Sequence, residues 1–207
     1  MNESLIKELL DKNIRVVAVT KKHTKEEVDQ LYALGLSTFG ENRVQEFLTK
    51  YDSKYHWHII GHLQTNKVKY VVGKVDMIES VDSLKLAKEI NKQATKLGIV
   101  QDILVELKVT KTDENKTGYP IEGAMDFLKE LEQFDHICVK GLMCIATHTD
   151  DESVNAKEFD EMKALYDQAK EKYPQMDTLS MGMSHDWRLA LAHGSNQVRI
   201  GTALFQS

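Results

Sequence analysis

The sequence predicts a (β/α)8 TIM barrel, and three observations carry that prediction. Short β-branched or apolar runs alternate with longer segments in which Leu, Ala and charge recur at helical spacing, and the alternation repeats eight times. Strands separated by about ten or more helical residues cannot be hairpins and pair in parallel instead. Proline occurs only at 120 and 174, and no Gly/Ser/Pro-rich stretch or long like-charge run breaks the chain, so residues 1–207 read as a single domain. A barrel of this kind typically has about 250 residues, so one of 207 needs short loops. An open doubly wound sheet is the rival architecture, but no Gly-x-Gly-x-x-Gly turn follows the first strand.

The first strand is Arg15 to Lys21, followed by a helix from about Thr24 to Leu34 with Thr24 as its cap and Gly35 as its stop. Ser37 to Gly40 precedes a helix from about Asn42, and His56 to Ile60 precedes one from about Gln64 to Val72. Met77 to Ser80 leads into Asp82 to Leu97, capped by Asp82 and ended by Gly98. Asp102 to Val109 is followed by a polar loop and then a helix over Ile121 to Gln133. Val139 to Ile145 precedes a helix from about Ser153 to Lys172, Thr178 to Met181 precedes one near Asp186 to His193, and Gln197 to Ile200 precedes a short terminal segment. The charge on one side of the Ser153–Lys172 helix is expected to face solvent, and the Leu, Met and aromatic positions of the helices to form core.

The chain has 27 Lys+Arg against 32 Asp+Glu, a formal net charge of −5. At roughly 150 residues per domain this length can bury enough apolar surface to fold without disulfide staples. Mild acidity argues against a nucleic-acid partner, which needs a basic face, and Lys21-Lys22-His23 is short and isolated. Met1 to Glu8 interleaves charge with apolar residues, unlike a signal peptide or anchor, and no segment has the apolar length to cross a bilayer. The expectation is a cytoplasmic protein with no membrane partner. Cys138 and Cys144 lie an even number of residues apart in an apolar run, so they are expected on one face of a buried strand, reduced and without metal.

In a barrel the active site lies at the carboxyl ends of the strands. That singles out Lys21, Glu41 with Asn42, Gly61 with His62, Ser184 with Asp186, and Arg199 with Gly201 and Thr202. Lys21 ends an apolar strand, where burial would favour the neutral amine that imine formation requires; the alternative is a strand-end lysine reaching water. Gly182, Ser184, Gly201 and Thr202 combine small residues with helix starts after strands seven and eight, where such barrels hold phosphate; ordinary capping is the alternative. An imine-forming lysine, an arginine and a phosphate cradle are together the three parts that hold pyridoxal phosphate. His56 and His58 share a strand face and His62 follows, but a catalytic zinc needs three protein ligands and an open position, and no carboxylate is recognisably spaced to assist. No metal is therefore expected, and His58 reads as a site-wall or core residue.

Ala18-Val19-Thr20-Lys21, Phe39-Gly40-Glu41-Asn42 with Val44-Gln45-Glu46, Trp57 through Lys67, Gly141-Leu142-Met143, Leu179 through Asp186 and Val198 through Phe205 follow one another in the order expected of the pyridoxal phosphate homeostasis protein family. The chain resembles that family over nearly its whole length. The resemblance implies an alanine racemase N-terminal-domain-like barrel, the fold type III arrangement, binding pyridoxal 5′-phosphate (PLP) and helping control PLP supply and amino-acid balance. It implies that Lys21 is the Schiff-base lysine, that Ser184, Gly201 and Thr202 bind the phosphate, that Arg199 faces the pyridine nitrogen, and that Asn42 and His58 line the pocket. The chain departs from the family where Arg43 replaces a usual Tyr and Asn196 a common Thr, and it stops at Gln206-Ser207 before the usual Gly-x-Arg-like ending. Only Met1 to Asn13 precede the first strand, so the helix usual there is expected to be curtailed.

A racemase needs a second acid/base on the opposite face of the substrate α-carbon from Lys21. In alanine racemase that group comes from a separate domain of the other subunit, for which this chain is expected to have no residues. Arg199 at the ring nitrogen would also disfavour its protonation and weaken the cofactor as an electron sink. The expectation is a monomeric PLP-holding and delivery protein, with PLP-dependent apoenzymes or free amino acids as partners, rather than a strong catalyst. A weak amino-acid racemase, or an imine-forming aldolase acting on a phosphorylated sugar, is the alternative.

Overall fold

The computed structural model describes residues 1–111 and 117–206; part of the expected polar loop after the fifth strand, and Ser207, lie outside the described residues. The strands are β1 Val16–Val19, β2 Thr38–Glu41, β3 His56–Ile59, β4 Met77–Val81, β5 Gln101–Lys108, β6 Ile137–Cys144, β7 Thr178–Ser180 and β8 Val198–Ile200. They pair in parallel in the order β7-β6-β5-β4-β3-β2-β1-β8. A further bridge between Ser180 and Gln197 joins the two ends, so the sheet forms a nearly closed barrel. A two-residue strand, Tyr119–Pro120, lies beside β5 off this ring.

The helices are α1 Glu3–Asp11, α2 Lys25–Ala33, α3 Val44–Lys50, α4 Leu84–Leu97, α5 Ala124–Leu131, α6 Glu152–Lys172, α7 Trp187–Ala192 and α8 Thr202–Phe205. Thr24 and Glu27 form a reciprocal capping box at the start of α2, and Gly98 closes α4 in the left-handed conformation at φ 67°. Two local expectations are corrected. The segment after β3 is a 3-10 helix over Thr65–Tyr70, and α4 is capped by Ser83, whose side chain accepts from the Leu86 N–H. Asp82 instead accepts from the Gly118 N–H at 3.2 Å, tying the start of α4 to the segment beside β5.

Strand side chains alternate between two layers. Ala18, Phe39, Trp57, Ile59, Ile78, Val105, Leu107, Leu142, Leu179, Val198 and Ile200 join the large core shared with the helices. Val17, Val19 and Ile60, and separately Met77, Leu104 and Met143, pack inside the barrel. Strands buried on both faces are what parallel sheets require, and they explain why these runs read as nearly continuous apolar stretches.

The cysteine expectation is overturned by a bulge. Ile103 pairs with Val139 but Leu104 pairs with Gly141, so Lys140 is an extra residue in β6. One inserted residue reverses the side-chain parity, and Cys138 and Cys144, opposite Asp102 and Leu107, fall on different faces. Gly141 is required here because a Cβ would lie 1.7 Å from the Thr178 carbonyl oxygen.

The segment before β1 folds into the nine-residue α1, which buries Ile6 and Leu9. Its cap residue Asn2 donates from its backbone to the Leu204 carbonyl at 2.7 Å, and Glu8 pairs with Arg188 of α7, so α1 is anchored to the last two helices. Asn196 also holds the fold together: its side chain accepts from the Leu179 N–H at 2.7 Å and donates to the Asp177 carbonyl at 2.9 Å, across the closing bridge. No helix among the described residues is long and apolar enough to cross a membrane.

Candidate functional site

β1 stops at Val19, and Lys21 lies on the following turn, exposed. The burial expected around its amine is therefore absent. What the fold supplies instead is a rigid turn. The Thr20 N–H continues the ladder to the Gly40 carbonyl at 3.1 Å, the His23 N–H returns to the Thr20 carbonyl at 3.0 Å, and Lys22 takes the left-handed conformation at φ 66°. From behind, buried Lys50 donates to the Thr20 carbonyl and to Glu41 Oε1, both at 2.7 Å, while the Thr20 hydroxyl donates to the same oxygen at 2.6 Å. Glu46 accepts from the Lys22 N–H at 2.8 Å. Both neighbours of Lys21 are thus held by side chains of β2 and α3. Burial pushes the Glu41 carboxyl above its ordinary value, against the opposing effect of Lys50 and Thr20.

The second element is the start of α8. Ser184, in the loop after β7, accepts from the backbone N–H groups of Gly201 at 3.2 Å and Ala203 at 3.3 Å. Gly201 approaches β1 so closely that a Cβ would lie 3.1 Å from the Val19 Cβ, which places this pair of donors beside the root of the Lys21 turn. Thr202 is exposed at the same helix start.

The third element lies inside the barrel. Arg199 on β8 pairs with Val17 and, flanked by outward-packing Val198 and Ile200, points inward. It is buried, donating to the Ser180 hydroxyl at 2.6 Å and the Cys144 carbonyl at 2.8 Å. Ser180 donates to Glu79 Oε1 at 2.6 Å; the other Glu79 oxygen meets His58 Nδ1 at 2.6 Å and Gln197 Nε2 at 3.1 Å. Complete burial alone would push the Glu79 carboxyl up, but His58, Arg199 and Ser180 together hold it below its ordinary value. Glu106 on β5, bonded to the Thr117 hydroxyl at 2.7 Å, shows the reverse: burial wins and its carboxyl is pushed up. Glu79, Ser180 and Gln197 are absent from the sequence-based candidates. A carboxylate within the apolar run Met77–Val81 is the signal that marks Glu79.

Asn42 follows β2 directly, two residues beyond Gly40, which pairs with Val19, so it stands next to Lys21 around the barrel mouth. Gly61 packs against it, where a Cβ would lie 2.7 Å from the Asn42 carbonyl oxygen. Asn42 also borders a cleft of 310 Å³ with Arg43 and His62, and Ser184 borders another of 330 Å³ with Asn155 and Trp187. His58 is engaged by Glu79, whereas His56 is exposed and bonded to Asp76; no group of three or more His, Cys, Asp or Glu side chains among the described residues is placed to hold a metal ion.

Residues 1–207 match the family described as alanine racemase, N-terminal domain. A pyridoxal phosphate homeostasis protein from Aquifex aeolicus (strain VF5) is 40% identical over 196 residues, covering 92% of this chain and 86% of that protein. Among solved structures, PipY of Synechococcus elongatus PCC7942 with PLP bound matches with a TM-score of 0.89 at 30% identity, over 99% of this chain and 100% of that one. An alanine racemase from Clostridium difficile 630 in complex with cycloserine shares the fold, with a TM-score of 0.85 at 18% identity over 99% of this chain and 58% of the racemase.

Proposed function

The chain belongs to the alanine racemase N-terminal domain family and, within it, to the pyridoxal phosphate homeostasis proteins, and from that premise we propose that it binds PLP at the mouth of this barrel and serves PLP supply and amino-acid balance as a holding and delivery protein. Lys21 is the amine that takes the aldehyde, Ser184, Gly201 and Thr202 receive the phosphate, Arg199 faces the pyridine nitrogen, and Asn42 and His58 wall the pocket. The carrying observation is that Lys21, the Gly201 and Ala203 N–H groups and Arg199 are set by the adjacent strands β1 and β8.

The donor set fits PLP. Two backbone donors converge on one hydroxyl beside the Lys21 turn, which suits a phosphate oxygen, and a fixed cation lies deeper in the barrel. When bound, PLP supplies an aldehyde that exchanges between amines and a ring that withdraws electrons. The residues of this chain favour the first property. An arginine, a permanent donor that cannot be deprotonated, disfavours a proton on the ring nitrogen and so restrains carbanion chemistry. An exposed Lys21 leaves room for an incoming amine, so free amino acids or a lysine of a PLP-dependent apoenzyme are the partners in this reading, with the chain acting as a cytoplasmic monomer.

The test is a visible spectrum of the purified protein with PLP, before and after borohydride, with mass spectrometry to locate the reduced adduct. A yellow absorbance that borohydride removes, an adduct on Lys21, and loss of both in Lys21→Ala are expected. Protein that gains no absorbance with excess PLP would sink the proposal. Hydrogen–deuterium exchange at the α-carbon of added amino acids at enzymatic rates would replace the delivery role with a racemase.

A further inference from the structure

We infer that Glu79 is a positioning residue of this cavity: it is the counter-charge that fixes Arg199 through Ser180, and it selects the ring nitrogen that His58 leaves free. The part concerning Arg199 rests on the PLP-binding reading above; the part concerning His58 does not.

The hydrogen-bond directions follow from donor inventory. A guanidinium only donates and an ionised carboxylate only accepts, so Ser180, between them at 2.6 Å from each, must accept from Arg199 and donate to Glu79. The hydroxyl has one proton and no freedom to reverse. With a second nitrogen held by the Cys144 carbonyl, the guanidinium is tied at two points. By the same rule His58 carries its proton on Nδ1, facing Glu79 Oε2, which leaves Nε2 as the free nitrogen. Gln197 donates to that same oxygen, so each carboxylate oxygen is occupied.

The groups facing Arg199 from the surrounding strands are Glu79 on β4, Glu106 on β5, the Cys144 carbonyl on β6 and Ser180 on β7, with His58 on β3 beyond Glu79 and the Cys144 thiol on the outer face of β6. Glu106 has its carboxyl raised and is bonded to Thr117, and the Cys144 thiol is pushed up to about 12. The carboxylate held in its charged form is Glu79. Removing its charge would leave Arg199 as an uncompensated buried cation.

Two variants separate charge from hydrogen bonding. Glu79→Gln removes the charge but keeps an acceptor for His58; Glu79→Met removes both at similar volume. In cofactor-free protein, long-range 1H–15N correlations are expected to show His58 as a single Nδ1–H tautomer in wild type and in Glu79→Gln, and to show that selection lost in Glu79→Met. With PLP, the pH at which the bound cofactor's visible absorbance titrates is expected to fall by about one unit in Glu79→Gln, the size of one charge acting through an effective dielectric of about 20. The Kd for PLP is expected to rise at least about ten-fold. Glu79→Met that keeps the Nδ1–H tautomer, or Glu79→Gln that keeps the wild-type midpoint and Kd while only its melting temperature falls, would reduce Glu79 to a structural residue and overturn the inference. If wild type takes up no PLP, the functional proposal fails and the tautomer comparison alone decides this one. If neither Glu79 variant folds, Ser180→Ala decides: unchanged Kd and midpoint overturn the inference, and weakened binding with an unchanged His58 tautomer upholds it.

Discussion

Lys50 Nζ donates to the Thr20 carbonyl at 2.7 Å, so the residue before Lys21 is held by a helix on the outer side of the sheet. The same ammonium lies 2.7 Å from Glu41 Oε1, and both side chains are buried. The other Glu41 oxygen is buried with no hydrogen-bond partner among the described residues. The placement of the Lys21 turn thus depends on a buried ion pair formed by side chains other than that of Lys21.

Lys50→Met should therefore cost about 3–5 kcal/mol in urea unfolding at neutral pH, because it strands a buried carboxylate. Glu41→Gln in the same background should recover part of that loss. The carboxyl of Glu41 is already raised by burial in the folded state, so its ionised form opposes folding and its penalty grows with pH. Losing Lys50 enlarges that penalty, and the gap between wild type and Lys50→Met should narrow as the pH is lowered from about 7 to 5. A constant gap would mean that Glu41 is not the stranded charge.

Glu8 on α1 is held down to about 2, first by its hydrogen bond from Arg188 and then by that from Lys12. A carboxyl depressed in the folded state stabilises the fold above its unfolded value of about 4.5, and that contribution is lost as the pH falls through the window from 4.5 to about 2. Arg188→Ala should be less stable than wild type above pH 4.5, by a margin that shrinks as the pH falls from 4.5 toward 2. Both partners reach solvent, so added salt should shrink the difference. Melting curves across this pH range at two ionic strengths measure both effects.

The two thiols should react in a fixed order. Burial pushes Cys144 up to about 12, and raises the half-buried Cys138 less completely. Iodoacetamide at about pH 8 should label Cys138 first and reach Cys144 only at the rate of unfolding. Mass spectrometry of partially labelled protein checks the order, and early labelling of Cys144 would contradict its complete burial in the core.

Two glycine substitutions separate clash from backbone strain. Gly98→Ala meets open space and has only its left-handed conformation to disturb, for a cost of about 1 kcal/mol. Gly141→Ala drives a methyl to 1.7 Å from the Thr178 carbonyl oxygen and must part β6 from β7, for a cost of about 3 kcal/mol or more in chemical denaturation.

The barrel was legible because parallel strands buried on both faces leave apolar runs of the right length, and because Gly35 and Gly98 end helices where their backbone freedom predicts. Lys21, Ser184 and Arg199 stood out because a strand end is a marked position in such a fold. Glu79 and Lys50 did not, since one-dimensional pattern says which residues are charged but not which charges meet inside. Lys50 looks like any helical surface lysine until β2 and α3 pack together. The bulge at Lys140 was hidden for a related reason: nothing in the apolar run reports an extra residue, and the even spacing of the cysteines pointed to the wrong parity. Asp82 and Ser83 are both good caps, and only the loop approaching from Gly118 decides which is free to serve.

The bridge between Ser180 and Gln197 gives the cavity and the closure of the sheet a common seam. Those two residues join the ends of the sheet, and their side chains are also two of the three that converge on Glu79. A chain whose seam is still open holds neither the carboxylate nor, through it, the guanidinium in place. Ligand affinity therefore doubles as a report of ring completion, and anything that binds this cavity latches the sheet shut by mass action.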